Sequence, residues 1–124
     1  IIVHLKFSKC SMKLKHLQSA LSTVPTPQFP SPHIALEQYG TSPLLTSHVI
    51  HTALSRDDVG PGMSVCDLGS GTGMLGIGSA LVGCSLVICV DCDEGAMAIA
   101  RENFVVMGID NSLVDDEEEE EEGE

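Results

Sequence analysis

The sequence is short of aromatic rings and of positive charge. It has no tryptophan, one tyrosine and three phenylalanines among 124 residues. The 43% hydrophobic content is enough for a core, but aliphatic side chains must fill nearly all of it. Lysine and arginine number six against eighteen acidic residues, for a net charge of -12. That charge is uneven. Nine of the acidic residues lie in Asp115 to Glu124, so residues 1–114 carry only -3. Four of the six basic residues, Lys6, Lys9, Lys13 and Lys15, fall in the first fifteen.

Several site chemistries are missing as well. His48 and His51 stand at i,i+3, but no HExxH pattern or acidic third ligand accompanies them. They read as structural or surface histidines, and no metal is expected. Cys89-Val90-Asp91-Cys92 is formally CxxC, yet zinc needs two further ligands and only Cys84 is near. A redox site would place its first cysteine at a helix start, whereas this one crosses a strand end. The five cysteines are an odd number, and three sit in apolar stretches, which suits reduced thiols in an intracellular protein. Ile1 to Cys10 is apolar and basic but too short for a signal peptide with its cleavage site.

What is present is organised around Asp67-Leu68-Gly69-Ser70-Gly71-Thr72-Gly73. A short strand, Ser64 to Leu68, runs into this stretch and a helix runs out over Met74 to Val82. Alternating glycines let the backbone turn sharply and approach a ligand without Cβ clashes. Such a turn is expected to aim free N–H groups at the helix start into a pocket. Ser85 to Val90 reads as a second strand, apolar enough to be covered on both faces of a parallel sheet. Glu94 to Met107 reads as the next helix, with Ala96, Ile99, Ala100 and Phe104 inward and Gly108 ending it. Ser112 to Val114 can start a third strand.

Upstream, Leu14, Leu17 and Leu21 have helical spacing within Met12 to Val24, predicting a short amphipathic surface helix. Lys13 and Lys15 flank that stripe; a helix touching RNA needs more basic residues than these two. Four prolines from Pro25 to Pro32 make an extended linker. His33 to Gly40 is expected to form a helical turn ending at Gly40. Thr41 or Ser42 then caps a helix with Pro43 at its first position, and Leu44, Leu45, Val49, Ile50 and Leu54 form its apolar face. The domain organisation expected is an extra segment at 1–11, a helix and proline-rich linker at 12–32, a partial cofactor-binding domain at 33–114, and a disordered acidic tail at 115–124. The tail reads as low-complexity sequence in place of more domain; an interaction element is the alternative.

Leu68 to Val90 carries no charge, so a membrane span must be weighed. Six glycines in that window are explained by a strand–loop–helix–strand path and not by a span. No membrane association is expected.

The loop limits the ligand. Asp91 ends the second strand about twenty residues beyond the loop, where a carboxylate accepts hydrogen bonds from ribose hydroxyls. Gly71-Thr72-Gly73-Met74-Leu75-Gly76 matches GxGxxG, so an NAD-binding Rossmann domain is a competing reading. Asp67 discriminates between the two. A carboxylate beside the loop repels a diphosphate, whereas S-adenosylmethionine carries a sulfonium and an ammonium that it attracts.

Three stretches together resemble the methyltransferase-like protein 5 family: Leu36-Glu37-Gln38-Tyr39-Gly40-Thr41-Ser42-Pro43, Asp67 to Gly78, and Val90-Asp91-Cys92-Asp93. The resemblance covers residues 12–111 and implies a Rossmann-like class I methyltransferase fold of α/β type, incomplete, with the N-terminal half of the parallel sheet and N-terminal helices. It implies transfer of a methyl group from S-adenosylmethionine to N6 of an adenosine in small-subunit (18S) ribosomal RNA. It places Gln38, Thr41, Gly69, Thr72, Met74 and Asp91 against the cofactor, beside the loop's own Asp67, Gly71 and Gly73; packing is the plainer role for Tyr39. It also implies a small zinc-binding activator protein as partner and action in nucleus and cytoplasm. The family's catalytic Asn-Pro-Pro-Phe does not occur in this sequence. No catalytic residue is therefore assigned, and the chain reads as a truncated form without activity of its own, or as a non-catalytic cofactor- or protein-binding fragment.

Overall fold

A parallel pair of strands with a helix between them carries the molecule. The computed structural model describes residues 2–4, 12–109 and 113–114. The acidic run, Cys10, Lys6 and Lys9 lie outside the described residues. In chain order the elements are β1 (Ile2–His4), α1 (Leu14–Leu21), α2 (Pro43–Ser55), β2 (Ser64–Leu68), α3 (Met74–Leu81), β3 (Leu86–Val90), α4 (Glu94–Val106) and β4 (Leu113–Val114).

β2 and β3 pair in parallel, with Ser64 opposite Leu86 and Leu68 opposite Val90. The sheet order is β2-β3-β1-β4. β1 joins β3 and β4 antiparallel to both, so the sheet is mixed rather than parallel throughout. The segment upstream of Met12 thus supplies a strand, which its apolar, lysine-punctuated sequence did not announce.

One face of the parallel pair is covered. Val87 and Cys89 point into the core, where Gly76 of α3 lets the helix settle onto the sheet. A Cβ on Gly76 would stand 2.6 Å from the Cys89 sulfur and 3.2 Å from the Phe104 ring of α4. The opposite face, with Cys66, Leu68 and Val90, is exposed. Among the described residues Leu86–Val90 is therefore fully covered on one face only, with Leu86 and Ile88 half-buried and Val90 exposed on the other, because α3 and the Phe104 face of α4 pack on the same side.

Both helices flanking β3 end in the same motif. Gly83 and Gly108 take positive φ, and the next N–H reaches back, Cys84 to Ser79 and Ile109 to Phe104. Ser42 caps α2 by accepting from the Leu45 N–H at 3.1 Å, with Pro43 at the first position. Against expectation, the turn before it is a single 3-10 turn, Ile34–Leu36. It ends at Glu37 in the left-handed region rather than at Gly40.

α1 is amphipathic as read, with Leu17 and Leu21 of its leucine stripe fully buried and Lys15, His16 and Ser19 exposed, but the face of α2 differs from the sequence reading. α2 buries Thr46, Ser47 and Ile50 and leaves Leu44, Leu45 and Val49 exposed. The cause is Gly78 on α3, whose missing side chain admits Ile50 and Thr46. A Cβ there would lie 2.9 Å and 3.2 Å from them. Close helix contact selects the small and β-branched stripe over the leucines. No helix among the described residues is long and apolar enough to cross a membrane.

Candidate cofactor site

The glycine loop sits where the parallel strands end. Gly69, Gly71 and Gly73 hold φ of 79°, 54° and 89°, a region that side chains disfavour. The loop's N–H groups are largely used within the protein. Those of Gly69 and Ser70 donate to the Val90 carbonyl, at 2.7 and 3.0 Å. Gly73 donates to Ser70, and Gly71 donates to Asp91 Oδ2 at 2.8 Å. Four N–H groups of the loop are thus occupied, while those of Met74, Leu75 and Gly76 at the helix start, which the sequence reading aims at the pocket, are not among them.

A cleft of about 480 Å³ opens beside this loop, within the range of small-molecule pockets. Eight of the nine residues proposed from sequence line it: Gln38, Thr41, Asp67, Gly69, Gly71, Thr72, Met74 and Asp91. Gly73 does not. It faces α4, where a Cβ would meet Phe104 at 3.1 Å and Ala100 at 3.3 Å, so its role is to seat the helix. The segment holding Gln38 and Thr41 is remote in sequence from the loop, and the fold brings the two together.

Polar contacts set the walls. Asp91 is fixed at both oxygens, by the Gly71 N–H and by the Asp93 N–H at 2.9 Å from Oδ1. An ionised carboxylate has about four acceptor positions, so capacity for two hydroxyls remains. Gln38 donates to Asp93 and accepts from the His33 N–H at 2.9 Å, which fixes its amide across the cleft. The Gln38 bond, more than the caps to α4, draws the Asp93 carboxyl below its ordinary pKa. Burial, and then the charge of Asp91, push the Asp67 carboxyl above its ordinary value. Burial, with Asp67 nearby, raises the Cys89 thiol to about 12, so it stays protonated. The described cysteines form no disulfide.

Three carboxylates, Glu37, Asp67 and Asp91, line the cleft, and none of its lining residues is lysine, arginine or histidine. Asp67 and Asp91 repel each other, and a cation placed between them would relieve that repulsion. Among the described residues no cluster of three or more metal-ligating side chains occurs.

Three contributors were not read from the sequence. Phe29 lines the cleft from the proline-rich stretch, and Ser70 lies buried within the loop. Asn103, on the inner face of α4, is fully buried and reaches Thr26 and Thr72. Its signal was a polar residue beside Phe104 on an apolar stripe.

Known proteins agree with this geometry. The family model for ribosomal protein L11 methyltransferase (PrmA) matches residues 39–124. The zebrafish (Danio rerio) protein named rRNA N(6)-adenosine-methyltransferase METTL5 is 41% identical over 92 residues, 74% of this chain and 44% of its own length. Its Drosophila melanogaster counterpart is 37% identical over 100 residues, 81% of this chain and 46% of its own. A solved structure of a candidate RNA methyltransferase from Pyrococcus horikoshii superposes with a TM-score of 0.68 at 39% identity, covering 75% of this chain and 46% of that one. The chain spans about half the length of the relatives it matches. The resemblance read from the Gln38, Asp67 and Asp91 stretches is borne out, and with it the Rossmann-like fold. The chain belongs to the methyltransferase family that the ribosomal protein L11 methyltransferase (PrmA) model describes.

Proposed function

We propose that this chain binds S-adenosylmethionine in the cleft beside the glycine loop, as the cofactor-holding part of an rRNA adenine-N6 methyltransferase. The observation that carries this reading is the charge of the cleft. It has carboxylates at Glu37, Asp67 and Asp91 and no basic lining residue. A diphosphate meets repulsion there; a sulfonium and an ammonium meet attraction. Asp91 would take the ribose hydroxyls on its remaining lone pairs. Asp67 would face the cationic end, with Gln38, Thr41, Gly69, Gly71, Thr72 and Met74 forming the walls.

The names of the relatives support RNA as methyl acceptor. The resemblance to their family extends the proposal to a small zinc-binding activator as partner and to nucleus and cytoplasm as the place of action. The sequence contains no Asn-Pro-Pro, the motif that would hold the target amino group against the methyl donor. The 124-residue polypeptide is therefore expected to bind cofactor without transferring methyl groups. Calorimetric titration should show S-adenosylmethionine binding and no NAD binding, with no methyl incorporation into small-subunit rRNA. NAD binding with S-adenosylmethionine excluded would overturn the cofactor assignment, and robust turnover would overturn the expected inactivity.

A further inference from the structure

The proline-rich stretch is fastened to the site. Its residues Thr26 to Phe29 form a strap tied to the glycine loop. The Asn103 amide grips Thr26 from both sides, with Oδ1 accepting from the Thr26 N–H at 3.1 Å and Nδ2 donating to the Thr26 carbonyl at 2.8 Å. The same Nδ2 donates to the Thr72 carbonyl at 2.9 Å. Thr72 Oγ1 in turn donates to the Pro27 carbonyl at 2.9 Å. The strap then delivers Phe29, whose ring lies 2.8 Å from where a Cβ on Gly71 would stand, and this ring lines the cleft. A side-chain amide suits this junction because it supplies two donors and an acceptor, as pairing with a peptide unit and a second carbonyl requires. A carboxylate could not donate, and an aliphatic group could do neither.

We propose that Asn103 is a positioning residue for the cofactor. It fastens the strap 26–29 onto the glycine loop so that the Phe29 ring becomes a wall of the cleft and packs against the bound molecule. The proposal rests on the S-adenosylmethionine reading above. A buried amide that only satisfies the core would lower the melting temperature without changing cofactor affinity at temperatures where the protein is folded.

The test is a double-mutant cycle on the 124-residue chain, read by calorimetric titration with S-adenosylmethionine below the melting temperature of every variant. Asn103→Ala and Phe29→Ala should each weaken binding by about tenfold. The double variant should be no weaker than the weaker single one, since both break the same wall. Proteinase K should also cut between residues 24 and 32 faster in cofactor-free Asn103→Ala than in the parent. Parent-like affinity in either single variant, or multiplicative losses in the double, overturns the proposal. Phe29 is partly exposed, so its variant keeps the test decisive if Asn103→Ala does not fold. If the parent binds no S-adenosylmethionine, the cofactor reading falls by itself. The strap is then judged by proteolysis: faster cutting in Asn103→Ala supports the attachment and an unchanged rate overturns it.

Discussion

In the proposed site, ligand choice would turn on Asp67, whose ionisation would make that choice pH-dependent. Its folded pKa is raised, first by burial and then by Asp91. A raised carboxylate contributes stability below its unfolded pKa, and that contribution is lost as pH rises through the folded value. At neutral pH the ionised group therefore costs stability. A bound cation favours the ionised form and lowers the pKa again. Affinity for S-adenosylmethionine is thus expected to rise as pH climbs through the raised pKa and then to level off. Asp67→Asn should flatten this dependence, weaken binding by about tenfold, and raise the melting temperature of the cofactor-free protein at neutral pH. Calorimetry across the acid-to-neutral range checks the first two, and thermal melts the third.

At the scale of elements, what the sequence could show depended on the range of the interaction. Ser64 to Leu68, the helix beginning at Met74 and the Gly108 stop are governed by neighbours in sequence, and each was predicted as found. The buried face of α2 was not, because Gly78 on another helix decides it. Asn103 and Phe29 escaped notice for the same reason: their partners lie far away in sequence. Of the eight cleft residues, Asp67, Asp91 and the loop glycines were legible from charge and spacing, whereas Gln38, Thr41, Thr72 and Met74 came through the family resemblance alone.

Two glycines separate local from tertiary cost. Gly108 has φ +67° and open space around it, so Gly108→Ala should lose about 1–2 kcal/mol from backbone strain alone, and Gly108→Asn less. Gly76→Ala gains about 1 kcal/mol of helix propensity. It must also displace the Cys89 sulfur and the Phe104 ring, at about 1–3 kcal/mol, which leaves a net loss of about 0–2 kcal/mol. Urea denaturation of the three variants measures these differences.

For the whole molecule, the exposed sheet face matters most. Cys66, Leu68 and Val90 form an apolar strip on the side of the parallel pair away from α3, with Leu68 78% exposed. Such a strip should bind a hydrophobic dye. Leu68→Ser is expected to reduce dye fluorescence while changing stability by no more than about 0.5 kcal/mol. Unchanged fluorescence would show that the strip is covered in solution.

The grip of Asn103 on Thr26 joins positions 77 residues apart. A polypeptide emerging from the ribosome N-terminus first has made its proline stretch long before the asparagine that will clasp it. Until residue 103 is made, the early helix and the strap wait without the partner that clasps them. This wall of the cleft can be completed only once α4 arrives and closes the circuit.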